Sequence, residues 1–109
     1  MTTATVSKNR AWYHDHTEHN PNCDIVCAMV DGLNHSYITY VKDLTTGQES
    51  CEYYSGPNYI SNTHSKKSFS RMWPSLQDIP VKYMDAWMQM RDWYIKGEVK
   101  DMPKSLTNH

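Results

Sequence analysis

One helix constrains this chain more than any other feature. Over residues 80–97, Lys82, Asp85, Gln89, Asp92 and Lys96 recur in steps of three and four, a single polar stripe of 3.6-residue period. Tyr83, Met84, Trp87, Met88, Met90, Trp93, Tyr94 and Ile95 fill nearly all the remaining surface. So much apolar and aromatic surface must be covered by a sheet of the same chain or by a partner. Pro80 suits the first turn, where a missing N–H costs nothing. Gly97 is a natural stop, and Pro103 limits any continuation.

Upstream, three segments read as strands. Residues 24–31 (DIVCAMVD) are a short, partly β-branched apolar run between turn residues, the pattern of a buried central strand. Residues 35–42 (HSYITYVK) are rich in Tyr, Ile, Thr and Val, and residues 49–54 (ESCEYY) make a weaker third strand. Turns at 31–34 and 43–47 join them, with Gly47 available for positive φ. The expected fold is therefore α+β: a three-stranded antiparallel meander covered by one C-terminal amphipathic helix. The chain length of 109 residues suits one domain. A polar N-terminal segment precedes the sheet, which spans about 24–54, and a long loop, 55–79, joins it to the helix. Residues 1–9 and 98–109 read as flexible tails. Within 10–22, Trp12 and Tyr13 read as an anchor onto the body.

The net charge is −1, but it is unevenly spread. Residues 1–55 carry seven acids against three bases and residues 56–109 eight bases against five acids, so the halves are about −4 and +3. That dipole is too mild to establish a nucleic-acid partner. The polar N-terminus lacks the apolar core of a signal peptide, and no run approaches membrane-spanning length. Three cysteines, two of them in expected strands, fit reduced thiols in a cytoplasmic protein better than a disulfide framework.

Three sets of residues carry candidate chemistry. His14, His16 and His19, with Cys23 close by, are ligand types for zinc, although their spacing matches no standard finger. The acid-free stretch 61–71 holds His64, Lys66, Lys67 and Arg71, with Tyr59 nearby. Cations, hydroxyls and stackable rings are what a phosphate or nucleic acid contacts. On the helix, eight apolar positions exceed the width one sheet face covers. Tyr83, Trp87, Met90 and Tyr94 are therefore the candidate partner-binding residues, for another protein or a second copy.

No nucleophile elbow, paired-carboxylate site or P-loop is present. Eight Tyr, four Trp and seven Met against one Phe favour half-exposed contact surfaces. The sequence thus reads as a small non-enzymatic protein-binding module, an inhibitor, adaptor or subunit on a larger protein. That style is common among virus- and phage-encoded accessory factors. A nucleic-acid or nucleotide binder using 61–71 is the alternative. A metal-binding domain or metal-dependent hydrolase built on the histidines comes third. No cofactor is required unless zinc occupies the histidine cluster.

Overall fold

The computed structural model describes residues 3–17, 22–32, 36–55 and 69–104. It is α+β, with one helix laid on a sheet, but the sheet has five strands rather than three. Strands β1 (Val6–His14), β2 (Cys23–Val30), β3 (Ser36–Asp43), β4 (Glu49–Ser55) and β5 (Phe69–Trp73) lie in the order β1-β2-β3-β4-β5, every pair antiparallel. A 3-10 turn at Leu76–Asp78 leads into helix α1 (Val81–Ile95), and a second 3-10 turn covers Glu98–Asp101.

The three central strands fall close to their expected places, and the two added strands flank them. β1 was hidden because its pattern is broken. Val6 pairs with Val30 and Ala11 with Ala28, so five steps along β1 oppose two along β2. A bulge of that kind destroys the period of two that marks a strand. It also puts Lys8 and Arg10 on an edge strand, which discourages edge-to-edge association. Residues 6–9 are thus strand and not tail. β5 is only five residues long and follows a Ser- and Lys-rich stretch, so composition assigned it to the loop. At the C-terminal end, Val99 is buried, which ties residues 98–101 to the body.

Helix α1 begins after Pro80 and ends at Lys96 and Gly97. Gly97 has φ +77°, the left-handed conformation that glycine adopts without a Cβ penalty. The helix buries Ala86, Trp87, Met90 and Trp93 in one cluster with Val26, Ala28, Val30, Ile38, Tyr40 and Cys51 of the sheet. Trp87 also donates its indole N–H to the Ser50 carbonyl at 3.0 Å, which pins the helix over β4. Tyr83 stacks on Trp73 at 5.7 Å between ring centroids and lies 5.4 Å from Tyr53, so β5 is held by aromatic contact as well as by its ladder.

The sheet is apolar on both sides. Trp12, Cys27, Met29 and Tyr37 form a second cluster with Ile25 and Tyr54 on the face away from α1. The Trp12 and Tyr37 rings meet edge-on at 5.4 Å. This explains why β2 reads as a continuous apolar run rather than an alternating one.

Candidate functional site

Helix α1 leaves some apolar residues uncovered by the sheet, and they are not the four expected to bind a partner. Trp87 and Met90 are 0% exposed and lie under the helix. Tyr83 is half-buried against Trp73 and Tyr53. Tyr94 is half-buried too, and its hydroxyl donates to Asp24 Oδ2 at 2.6 Å. These four residues hold the helix to the sheet, because large rings gain most from the core.

The exposed large apolar residues of α1 are Val81 (80%), Met88 (41%) and Ile95 (58%). They are spaced seven apart, so they stack two turns from one another along the outer side of α1. Met84, half-buried, flanks the ridge on one side. Asp85 and Asp92, both exposed, flank it on the other. The ridge runs about 21 Å at 1.5 Å per residue.

At the end of the interface between α1 and the sheet lies a polar knot. Asp24 is buried, and its Oδ1 accepts the backbone N–H of His16 at 2.8 Å and lies 3.0 Å from His16 Nδ1. Burial and the neighbouring Asp24 push the Tyr13 hydroxyl up to about 12. The Tyr94 hydroxyl is raised by the same two causes. Close by, Glu49 Oε2 accepts from Tyr40 Oη at 2.5 Å and from Arg91 Nε at 2.6 Å. Burial works against the Glu49 carboxylate, but these two donors win and hold its pKa below the ordinary value. Among the described residues, the side chain of His16 meets Asp24, whose other oxygen takes the Tyr94 hydroxyl.

Of the expected metal ligands, the three among the described residues, His14, His16 and Cys23, are not brought together. β1 ends at His14, and the chain then turns, so His16 swings to Asp24 on the helix side. His14 pairs in register with Ile25 of the other face, and Cys23 lines a groove on that face. His19 lies outside the described residues. Among the described residues, no three His, Cys, Asp or Glu side chains are placed to share an ion. Of the anion-binding set, Tyr59, His64, Lys66 and Lys67 lie outside the described residues. Arg71 is exposed on β5, opposite Tyr53.

The groove on the helix-free face was not legible from the sequence. Its volume is about 250 Å³, and Ile25, Val41, Met72 and Pro74 form its apolar walls. Asp43 and Glu52 stand in its lining together with Cys23, Gln48 and Ser50. Register is the only signal that could have revealed it: Ile25, Val41 and Ser50 align across β2, β3 and β4. Burial, then the charges of Asp43, Glu52 and Asp24, raise the Cys23 thiol. Among the described residues no helix is long and apolar enough to cross a membrane. Against family models, curated proteins and solved structures alike, the chain has no match.

Proposed function

We propose that this chain is a protein-binding module that docks a helix of another protein along the outer side of α1. The observation that carries this reading is the heptad-spaced ridge of Val81, Met88 and Ile95, left in water by a helix whose other face is fully engaged. An amphipathic partner helix laying apolar residues against such a seam is a standard mode of recognition. Asp85 defines the partner further, because Asp92 beside it is already paired with Lys96 at 3.0 Å. Its exposed carboxylate favours a helix with Lys or Arg beside its apolar stripe.

The test is site-specific photo-cross-linking in the source cells with the cross-linker at Met88, and with Leu44 of the β3–β4 turn as an exposed apolar control. The expected result is one protein adduct from position 88 and none from position 44. The partner peptide should be an amphipathic helix carrying basic residues, and the adduct should vanish in a Val81→Asp, Ile95→Asp double variant. An adduct that survives the double variant overturns the reading. So does a self-adduct, or one with nucleic acid.

A further inference from the structure

We infer that the groove on the helix-free face is a second docking surface, for an extended peptide segment with basic residues four positions apart and an apolar residue midway between them. The ridge and this groove lie on opposite sides of the sheet, so the inference does not depend on the partner of α1.

The argument starts from register. Val41 pairs with Ser50, and Ile25 pairs with Val41, so these three residues form one row across the sheet. Glu52 pairs with Thr39, two residues from Val41 in one direction. Asp43 stands two residues from Val41 in the other and pairs with Cys23. The two carboxylates thus bracket an apolar row at a separation of four residues, about 13 Å at the rise of a strand. Met72, 63% exposed, and Pro74 raise the wall on the β5 side. Gln48 Nε2 donates to the Pro74 carbonyl at 2.5 Å and ties that wall to the β3–β4 turn.

Neither carboxylate belongs to an ion pair among the described residues. Among the described residues, the ion pairs are Lys8–Glu98, His16–Asp24, Arg91–Glu49 and Lys96–Asp92, none of which involves Asp43 or Glu52. Asp43 Oδ1 accepts the amides of Thr45 and Thr46, and Glu52 Oε1 accepts the Tyr54 hydroxyl. Lys42 and Arg71, the nearest bases on these strands, belong to rows on the helix side, beside Glu49 and Tyr53. The groove therefore combines apolar walls with a carboxylate at each end.

An extended segment matches that layout directly. Its residues i, i+2 and i+4 point to one side and span the same distance as four residues of the sheet. Basic side chains at i and i+4 reach Glu52 and Asp43, while the residue at i+2 covers Ile25 and Val41. A lysine or arginine stem packs on apolar walls while its charged head stays at the rim.

The test is a titration of the full chain, followed by amide chemical shifts, with the blocked peptide acetyl-Lys-Ser-Leu-Ser-Lys-amide. The expected result is saturable shifts at Cys23, Ser50 and Glu52, weakened by added salt. Glu52→Gln and Asp43→Asn should each reduce affinity by about fivefold, the scale of an exposed charge pair. Asparagine keeps the Oδ1 acceptor that Thr45 and Thr46 use, so the turn is preserved. The permuted peptide acetyl-Ser-Lys-Leu-Lys-Ser-amide directs leucine and lysine to opposite sides and should bind at least fivefold more weakly. Equal binding of the two peptides overturns the inference. So do shifts outside the groove, or affinity unchanged in both variants. Cross-linking at Met88 reports on the α1 ridge alone, so failure of one surface leaves the other standing.

Discussion

Trp87 is where the packing of this fold is tested most directly. Its ring is 0% exposed, lies 5.3 Å from Tyr40, and donates an N–H to the Ser50 carbonyl. Truncating a buried aromatic to alanine costs about 3–5 kcal/mol, and the unpartnered Ser50 carbonyl places Trp87→Ala near the top of that range. A domain has about 5–15 kcal/mol in total, so this one change removes a third or more of its stability. With a urea m-value of about 1.5 kcal/mol/M, a loss of about 5 kcal/mol moves the midpoint down by about 3.3 M. Trp87→Phe keeps most of the apolar area but loses the hydrogen bond and some volume, for a cost of about 1–2 kcal/mol. Met88→Ala, on the outer ridge, should cost less than about 0.5 kcal/mol. Urea unfolding followed by circular dichroism at 222 nm measures all three. A midpoint shift for Trp87→Ala no larger than that for Met88→Ala would mean that α1 does not sit on the sheet through this face.

Other expectations follow from individual groups. Cys27 and Cys51 are buried with raised thiol pKa values, whereas Cys23 is partly exposed. A thiol reagent at pH 8 should therefore modify one cysteine of three in the native protein and all three in guanidinium. Tyr13, Tyr37, Tyr40, Tyr83 and Tyr94 are all raised above 10, in each case chiefly by burial. Absorbance at 295 nm should show these tyrosines ionising above pH 10, with stability intact below 10 and falling as the pH climbs toward 12. Glu49 behaves oppositely: its lowered pKa contributes stability above 4.5 that is lost as the pH falls below that value. Glu49→Gln should accordingly flatten the acid side of the stability profile. Replacing Gly97 by alanine forces a Cβ into φ +77° and should cost about 1 kcal/mol, read as a lower melting temperature.

Much of the fold was legible because period and punctuation are local properties. The polar stripe of 80–97, Pro80 and Gly97 delimit a helix whatever surrounds it, and α1 runs Val81–Ile95. The central strands announce themselves by β-branched and aromatic residues between turns, and they are β2, β3 and β4. The edge strands were not legible, for different reasons. A bulge scrambles the alternation of β1, and β5 is held in place by the Trp73–Tyr83 stack, a contact between residues ten apart on different elements.

The sites depended still more on tertiary contacts. Composition alone implied that α1 had apolar surface to spare. Which side was left over depended on what the sheet accepted, and it accepted Tyr83, Trp87, Met90 and Tyr94 because rings and the Trp87 N–H found partners there. Likewise, His14 and His16 look like a pair on paper, but the end of β1 sends them to different faces. Asp43 and Glu52 are nine residues apart in the chain, and only the β3–β4 register makes them the two ends of one groove. The sequence by itself determined the helix, the central strands and the surplus of apolar surface, because each follows from neighbours along the chain. The tertiary structure alone decided which surfaces remain open, because exposure is what is left after every long-range contact has been made.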